Sequence, residues 1–405
     1  MAEVTKRGTF QPKSDSLSAE TYPLSIVIPA YNAAGFLRSN LEALARNDLS
    51  NTEILVVDDA SEDDTAAVVE SFSRCLPVRL LRLPRNVGPA AARNRGAEAT
   101  NFLYLLFLDA DIQVPDRALF WFRDTLDLYS HRPDVVGVLG TYSERAPRRG
   151  FLSDYKNLTT SYLYRATDTW SPFCHTAIVC LRREVFESVG GFDETLRHGE
   201  DFKLGAQLGS RGFRLIIDRR IQAVHLKTYT WSKALREDWD RVQSLSRLEL
   251  DPAAKRFSWR AHRWSRLLSL AIPPGILICL SLGIAVNPHW HLGWLGLAGV
   301  FLLLHQRYLR FLRRRGSFSF ALQAAFTQLA ELTLADLALI WSLMQRITPA
   351  GRRKPAGEPP AGPDPRGSDL PPPSLPARGK LPAGTSPSAT RTRESSASPL
   401  PSQRD

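Results

Sequence analysis

Between residues 22 and 250 the sequence alternates short apolar, β-branched runs with amphipathic stretches. Residues 24–28 predict a buried strand, and residues 35–47 place their apolar side chains on one helical face. The same alternation predicts further strands at 53–57, 78–83 and 102–108 and further helices at 62–73 and 88–99. Strand, helix and strand at this spacing are typical of right-handed βαβ units. We therefore expect an α/β domain whose mostly parallel sheet is flanked by helices.

Three common motifs for nucleotide binding or hydrolysis are absent from the sequence. It contains no G-x-G-x-x-G after a strand, no G-x-x-x-x-G-K-[ST] and no G-x-S-x-G. These absences argue against dinucleotide oxidoreductases, P-loop NTPases and serine hydrolases. The four cysteines form no C-x-x-C pair, so neither a disulfide framework nor a zinc ribbon is expected.

Acidic residues follow two of the predicted strands instead. Asp58 and Asp59 come directly after the second strand, and Asp109 and Asp111 follow the fourth. Ligands bind at the carboxyl ends of strands in such sheets, and carboxylate oxygens suit Mg²⁺ or Mn²⁺. For the first pair a structural alternative is open, with Asp58 as a turn residue and Asp59 as a helix cap. The second pair favours a cation site, because a wholly apolar strand leads directly into two acids.

Six motifs in order carry a resemblance to a known family. They are Ile28–Asn32 (IPAYN), Val56–Ser61 (VVDDAS), Asn86–Gly88 (NVG), Ala92–Gly96 (ARNRG), Phe107–Asp111 (FLDAD) and Gly190–Glu194 (GGFDE), the last followed by Gly199–Asp201 (GED). Each motif is weak alone, but in this order and spacing the chain resembles the family 2 glycosyltransferases, of the membrane-anchored bacterial type. The resemblance implies the GT-A fold of nucleotide-diphospho-sugar transferases over residues 22–250.

The resemblance also implies roles for individual residues. The nucleotide-sugar-binding residues would be Pro29, Ala30, Tyr31, Asn32, Asp59, Asn86, Arg93 and Asp109. Asp59 would accept a hydrogen bond from the base of the nucleotide, and Arg93 would lie near the phosphate or the base. Asp109 would contact the ribose or the metal, Asp111 would hold Mg²⁺ or Mn²⁺ on the diphosphate, and His225 is a further candidate ligand. The structural alternatives are an exposed helix charge for Arg93 and a packed ring for His225.

An acceptor hydroxyl needs a base as it attacks the anomeric carbon, because its own pKa lies far above neutral pH. The resemblance points to the acidic pair Glu200 and Asp201, and Asp201 is the expected catalytic base. Direct displacement assisted by one base implies inversion at the sugar carbon. The alternative is that both acids simply begin a helix over residues 200–210, since negative charge is favoured at a helix N-terminus.

One departure from the family concerns its processive members, which carry a Gln-x-x-Arg-Trp motif after the acidic pair. Here the nearest segment runs from Gln243 to Leu248 (QSLSRL), with a different spacing and no Trp. The sequence therefore favours the transfer of one sugar per acceptor over polymer synthesis.

Residues 267–306 contain no Lys, Arg, Asp or Glu. Because about 20 apolar residues span the hydrocarbon core, segments 267–288 and 290–309 are expected to form a transmembrane hairpin. A buried helical hairpin of a soluble domain is the alternative. The segment 318–345 is mostly apolar but contains two acids, so it is either a third span or a helix in the membrane interface.

Basic residues flank the hairpin on both sides and account for much of the net charge of +11. They place both flanks, and with them the catalytic domain, on the cytoplasmic face of the cytoplasmic (inner) membrane in a multi-pass protein. The charge then requires no nucleic-acid partner. Residues 1–21 predict a flexible arm, residues 251–347 a linker and membrane region, and residues 348–405 a disordered tail rich in Pro, Ser and Arg.

These observations predict an inverting, metal-dependent glycosyltransferase of the hexosyltransferase type. It would move one sugar from a nucleotide-diphosphate sugar to the hydroxyl of a lipid-linked or glycan acceptor near the membrane. Two alternatives stay open. One is a polyprenyl-phosphate glycosyltransferase, whose acceptor phosphate needs no strong base. The other is a catalytically inactive membrane scaffold with the same fold.

Overall fold

The computed structural model describes residues 22–144, 150–167, 169–171, 174–196, 198–248 and 268–347. The expected arm (1–21), part of the expected linker (251–267) and the expected tail (348–405) lie outside the described residues.

The first half of the catalytic domain consists of parallel strands joined by helices, as the sequence predicts. The strands are β1 (Leu24–Ala30), β2 (Thr52–Asp58), β3 (Val78–Arg82) and β4 (Tyr104–Leu108), in the spatial order β3-β2-β1-β4. Each neighbouring pair in this order is parallel. The connecting helices are α1 (Ala34–Ala45), α2 (Thr65–Phe72) and α3 (Pro89–Glu98). The carboxyl ends of β1, β2 and β4 therefore meet at one edge of the sheet.

The second half of the domain mixes parallel and antiparallel strands. Its elements are β5 (Ile112–Gln113), α4 (Ala118–Leu128), β6 (Val135–Tyr142), α5 (Phe151–Ala166), β7 (Trp170–Ser171), β8 (Ile178–Arg182), α6 (Arg183–Ser188), α7 (Glu200–Ser210) and β9 (Arg214–His225). Strand β8 lies antiparallel between β4 and β6, and β9 lies parallel to β6. The short strands β5 and β7 each pair antiparallel with β9. The parallel pairing expected from the sequence thus occurs on both sides of β8. Strand β8 itself runs antiparallel to its two neighbours, β4 and β6.

The sheet separates two hydrophobic cores. Side chains alternate along each strand, so Ile26 and Ile54 pack on one face while Val27 and Leu55 pack on the other. Helices α1, α2 and α4 cover the first face, and helices α3, α6 and α7 cover the second. Because both faces are covered, the strand ends are the part of the sheet that remains available for binding.

Helix α3 approaches the sheet very closely at Gly96. A Cβ atom at this position would lie 2.2 Å from Val27 Cγ1 and 3.0 Å from Val57 Cγ2. Only glycine leaves room for this approach. The contact sets the distance between the helix that carries Arg93 and the strands that carry the acids.

In the described part of the chain, four helices follow the sheet: α8 (Trp231–Leu248), α9 (Ile272–Ala285), α10 (Trp290–Arg315) and α11 (Phe318–Ile347). Helices α9 and α10 form the expected hairpin and share a small hydrophobic core with α11. Among the described residues, two helices are long and apolar enough to cross a membrane, over Leu268–Ala285 and Phe318–Gln345. The expected second span, 290–309, is not one of them; it forms the first part of α10, which continues to Arg315 and ends in basic residues.

Candidate active site

The loops after β1 and β2 are tied to each other by hydrogen bonds. The Asn32 backbone N–H donates to the Ser61 hydroxyl (3.0 Å), and the Asn32 side-chain oxygen accepts from the Glu62 N–H (2.9 Å). Asp58 accepts a hydrogen bond from the Ser61 N–H (2.8 Å), so Asp58 is a turn residue, as the structural alternative expected. The predicted helix over 62–73 begins only at Thr65, because Ser61 is committed to these loop contacts.

The Asp59 side chain is bonded to a neighbouring loop at this edge of the sheet. Its two carboxylate oxygens accept backbone hydrogen bonds from the N–H groups of Val87 and Gly88, at 2.8 Å each. The side chain is buried and anchors the loop that contains Asn86. It does not cap α2, whose N-cap residue is Asp64. Asp59 is thus a loop-anchoring residue in this structure, and its implied contact with a nucleotide base stays a prediction.

The other residues of the first motif lie at the same edge of the sheet. Pro29 pairs with Val57 at the end of β1, and the buried Ala30 accepts a hydrogen bond from the Asp59 N–H through its carbonyl (2.8 Å). Tyr31 and Asn86 are exposed, as groups that contact a ligand must be in the free protein.

Arg93 joins two acidic motifs that are far apart in sequence. Its guanidinium donates to Asp109 Oδ1 at 2.7 Å and to Glu200 Oε1 at 3.0 Å, and it lies 5.6 Å from the centre of the Phe192 ring. The Arg93 side chain is only 5% exposed. Arg93 is therefore not an exposed helix charge; its guanidinium pairs with two carboxylates, and its implied position near a phosphate or a base stays a prediction.

The charges in this cluster depend on one another. Burial alone would lower the pKa of Arg93, but the charges of Asp109 and Glu200 outweigh it and raise the pKa above its usual value. Burial raises the pKa of Glu200, and the attraction of Arg93 offsets only part of that rise. A buried cation between two carboxylates is stable only while all three groups are paired. Removal of Arg93 would leave Glu200 as an uncompensated buried charge.

Asp111 and His225 face each other because β5 pairs with β9. Asp111 Oδ2 and His225 Nε2 are 3.4 Å apart, and the His225 ring stacks on Tyr142 with 5.0 Å between ring centres. Ile112 is the register partner of His225, so the backbone pairing itself holds the two side chains together. Burial raises the pKa of Asp111, but the hydrogen bond and charge of His225 outweigh it, and the net shift is downward.

The expected metal site of Asp109, Asp111 and His225 is smaller in the structure. Within the described ranges no group of three His, Cys, Asp or Glu side chains is arranged to hold a metal ion. Asp109 pairs with Arg93, which leaves Asp111 and His225 as two adjacent donors. One carboxylate and one imidazole fit an ion that takes its other ligands from a diphosphate and water.

The two members of the acidic pair lie in different surroundings at the start of α7. Gly199 precedes the helix in the left-handed conformation, with φ of 85°. Glu200 is buried and bonded to Arg93, whereas Asp201 is partly exposed and accepts a hydrogen bond from the Phe202 N–H at 2.7 Å. The pair does begin a helix, as the alternative expected, yet Asp201 remains accessible to a ligand.

Three aromatic residues that sequence reasoning missed lie close to this pair. Tyr142, Tyr164 and His175 pack together with ring centres 5.4 to 6.1 Å apart. Tyr164 Oη and His175 Nδ1 are buried and have no hydrogen-bond partner among the described residues. Burial raises the pKa of Tyr164 well above its usual value, and the charge of Asp201 adds to the rise. The three rings come from separate elements, so no local pattern marks them.

A cavity of about 400 Å³ adjoins these rings. It is lined by Thr141, Tyr142, Glu144, Ser161, Tyr164, Arg165, Arg219 and Gln222. Glu144 forms ion pairs with both Arg165 and Arg315. The cavity thus lies between the aromatic cluster and the basic end of α10.

The order of strands and the acids at their ends define the fold of a GT-A nucleotide-diphospho-sugar transferase. The structure of a mannosyltransferase from Pyrobaculum calidifontis, in complex with GDP-Man and Mn²⁺, shares this fold. It aligns with a TM-score of 0.50 and 19% identity, covering 79% of this chain and 87% of that chain. Residues 25–190 match the sequence model of glycosyl transferase family 2. This segment therefore has the sequence of a family 2 glycosyltransferase domain, as its motifs indicate.

Two curated relatives agree with this assignment. The uncharacterized glycosyltransferase EpsJ of Bacillus subtilis is 32% identical over 198 residues, which cover 45% of this chain and 55% of the relative. The pre-mycofactocin glycosyltransferase of Mycobacterium tuberculosis is 31% identical over 229 residues, which cover 53% of this chain and 44% of the relative. The chain thus spans about half the length of the curated relatives it matches.

Proposed function

We propose that this chain is an inverting, metal-dependent glycosyltransferase that moves one sugar from a nucleotide-diphosphate sugar to an acceptor hydroxyl at the membrane. The observation that carries the proposal is the ion-pair cluster of Arg93 with Asp109 and Glu200. It brings the acids that follow β4 and the acids that begin α7 to one site. That site lies at the carboxyl edge of the sheet, where ligands bind in α/β folds.

The donor side of the site consists of the loops after β1, β2 and β4. The mannosyltransferase complex with GDP-Man and Mn²⁺ supports a nucleotide-sugar donor and a divalent ion in the same fold. Asp111 and His225 are the residues that would hold the ion, because they are adjacent donors beside Asp109. When bound, Mn²⁺ or Mg²⁺ supplies positive charge that stabilises the departing nucleoside diphosphate.

Asp201 is the proposed general base. It is partly exposed, whereas Glu200 is buried and bonded to Arg93, so only Asp201 is free to take a proton from an acceptor hydroxyl. Glu200 and Arg93 are then positioning residues that fix the start of α7 against the end of β4. A single base on the acceptor side is consistent with direct displacement and with inversion at the sugar carbon.

A release assay on the purified full chain in nanodiscs tests this proposal. UDP-, GDP- and dTDP-sugars are screened with a membrane lipid extract, and the free nucleoside diphosphate is measured. We expect release from one class of donor, dependent on both the extract and a divalent ion. The matched control is Asp201→Asn, which keeps the shape of the side chain. Absence of release from every donor, with nucleotide binding that is independent of metal, would instead indicate the inactive scaffold.

A specific observation favours a second candidate, in which the acceptor is a lipid phosphate. Arg165 and Arg219 line the cavity beside Tyr164, and two guanidinium groups suit the recognition of a phosphate. An acceptor phosphate is already ionised and needs no strong base. Under this candidate Asp201→Asn would lower turnover less than about tenfold, far below the scale of general-base catalysis. Arg219→Gln would raise the acceptor KM without changing donor binding.

We also propose that the catalytic domain lies on the cytoplasmic face of the inner membrane, where nucleotide sugars are supplied. The apolar helix Leu268–Ala285 supports membrane association, and exposed arginines at the end of α10 support a cytoplasmic position. Reporter fusions after residue 289 should then read outside the cytoplasm, and fusions after residue 314 should read inside it. A cytoplasmic reading at residue 289 would show that the hairpin does not cross the membrane.

A further inference from the structure

Helix α11 (Phe318–Ile347) is long and apolar enough to cross a membrane, but it has two different faces. One face is buried and consists of small residues: Ala321, Ala324, Ala325, Thr327, Ala338 and Ser342. The opposite face is exposed and consists of large apolar residues: Phe318, Leu322, Phe326, Leu337, Trp341 and Met344. We call this second set the apolar stripe. Its members recur at spacings of three and four residues or multiples of them, so they share one side of the helix.

The buried face contacts the catalytic part of the chain along nearly its whole length. Near the start, the Phe320 ring packs on Phe151 with 5.2 Å between ring centres. Near the end, the Ala338 carbonyl accepts from Gln243 Nε2 (2.9 Å). One turn later, the hydroxyls of Ser342 and Ser246 are 2.8 Å apart.

The middle of the helix carries an ion pair to the same part of the chain. Glu331 accepts a hydrogen bond from the Tyr155 hydroxyl (2.7 Å) and lies 2.8 Å from Lys156 Nζ. Lys156 also pairs with Asp238 of α8 at 2.6 Å. Both Tyr155 and Lys156 belong to α5, which packs against the catalytic sheet.

These contacts decide how the helix can lie in a bilayer. The contacting residues run from 320 to 342, which at 1.5 Å per residue is about 33 Å, roughly the thickness of the hydrocarbon core. If α11 crossed the membrane, helices α5 and α8 and the Lys156 ion pairs would lie at the depth of the lipid tails. Charged groups there are strongly disfavoured. The contacts are compatible with a bilayer only if the helix runs along its surface.

We therefore propose that α11 does not cross the membrane but lies in its plane, with the apolar stripe inserted among the lipid headgroups. The apolar stripe contacts the surface of an anionic bilayer. Charge supports this choice, because Arg307, Arg310, Arg313, Arg314 and Arg315 are all exposed immediately before the stripe begins. A basic flank beside an apolar helix face is typical of helices that lie on anionic membranes.

The hairpin of α9 and α10 fits the same arrangement. Its two most exposed large apolar side chains, Ile284 and Val286, lie at its tip, and further apolar side chains are exposed along it: Leu277, Ile278, Trp290, Leu292 and Leu295. Its base packs on α11 through Ile272, Leu304 and Ala325. The tip would enter the bilayer while α11 holds the catalytic domain flat against it. This inference extends the proposed membrane location and does not depend on the sugar-transfer chemistry.

Depth measurements by site-directed spin labelling test the proposal on the full chain in vesicles of phosphatidylethanolamine and phosphatidylglycerol. Single labels are placed through Leu322→Cys, Phe326→Cys, Leu337→Cys, Trp341→Cys and Met344→Cys. They are made in a background with Cys75→Ser and Cys279→Ser, and Ile278→Cys in the middle of α9 is the reference for a deep site. The midpoint of thermal unfolding of each labelled protein, compared with that of the unlabelled protein, checks that it is folded. Depth comes from the ratio of oxygen to nickel-chelate accessibility.

The proposal expects all five stripe labels at one shallow depth, within a few ångströms, and the reference label deeper. A transmembrane helix would give depths that change by about 1.5 Å per residue, or about 33 Å between positions 322 and 344. That result would overturn the proposal. A second result would also overturn it: strong coupling between labels on separate molecules, together with little exposure of those labels to lipid. That result would show that a second copy of the chain covers the stripe.

A reporter after residue 405 gives an independent reading. With two crossings by the hairpin and none by α11, it should lie on the same side of the membrane as a reporter placed before residue 1. Opposite sides would show that α11 crosses, whether or not the enzyme transfers sugar.

Discussion

The strands of the catalytic domain and the C-terminal helices place the same kinds of residue in opposite positions. In β1, β2 and β4 the large apolar side chains are fully buried, and the acids lie at the strand ends. In helices α9 to α11 the large apolar side chains are outside, with Ile284 83% and Phe318 71% exposed, while small residues and an ion pair lie inside. The proposed membrane location of the helices would explain the difference, because apolar surface is driven away from water but not away from lipid.

The exposed apolar surface of the helices is too large for a chain surrounded by water. Each fully exposed Leu, Ile or Phe forgoes about 1.5–3 kcal/mol relative to burial. Contiguous patches of this kind mark contact with a protein or a membrane. The comparison therefore predicts that the two regions respond in opposite ways to the same substitutions.

The largest expected effect is at the buried cation of the catalytic region. Arg93→Met keeps the length of the side chain but leaves the buried Glu200 and the half-buried Asp109 without their cation. We expect the free energy of unfolding to fall by about 3–5 kcal/mol and turnover to be lost. The matched control is Arg95→Met in the same helix, where the side chain is 46% exposed, with an effect within about 0.5 kcal/mol. Urea unfolding in detergent measures both free energies. Equal effects of the two substitutions would show that the ion pairs of Arg93 do not stabilise the fold.

A matched pair of phenylalanines compares the two regions directly. Phe107 in β4 is 0% exposed, whereas Phe326 in the apolar stripe is 66% exposed. Phe107→Ala should lower the free energy of unfolding by about 3–5 kcal/mol. Phe326→Ala should change it by no more than about 0.5 kcal/mol in the same detergent. A loss at Phe326 as large as that at Phe107 would show that the stripe is part of the protein core.

A smaller effect is expected where helix α3 meets the sheet. Gly96→Ala places a Cβ atom 2.2 Å from Val27 Cγ1, so the helix must shift. Overpacking of this kind costs about 1–3 kcal/mol, and the donor KM should rise because the shift moves Arg93 and Asp109 apart. Gly35→Ala is the control, since nothing lies within 4 Å of its added Cβ atom. Thermal unfolding with and without nucleotide distinguishes the loss of stability from the weaker binding. A Gly96→Ala protein with an unchanged unfolding midpoint would contradict the close packing.

The strands of the catalytic domain were predictable from the sequence because their signal is local. Strands at 24–28, 53–57 and 78–83 and the helix at 200–210 are confirmed within one or two residues at each end. The start of α2 was not predictable, because the Ser61 hydroxyl accepts a hydrogen bond from the backbone of Asn32. Only the folded chain brings these two residues together. Local patterns carry no information about such partners.

The candidate site was predictable as a set of motifs but not as a set of contacts. The position of Arg93 depends on Asp109 and Glu200, which reach it from a different strand and a different helix. Both carboxylate oxygens of Asp59 accept hydrogen bonds from the backbone of residues 87 and 88, and the motif that contains Asp59 does not indicate this contact. Composition also could not distinguish a spanning α11 from a surface helix, because the same apolar residues suit both. The contact of Lys156 with Glu331 separates the two.

The measurement that tests the central claim most directly separates donor binding from turnover at Asp201. The purified chain in nanodiscs is assayed for affinity toward the donor and for turnover at saturating donor, as wild type, Asp201→Asn and Asp111→Asn. If Asp201 is the base, it acts on the acceptor proton only in the transition state, so Asp201→Asn should bind donor almost normally. Its turnover should fall by roughly 10²–10⁴-fold. Asp111→Asn should instead weaken donor binding in Mn²⁺. An Asp201→Asn protein that loses donor binding but keeps its turnover would contradict the assignment of Asp201 as the base.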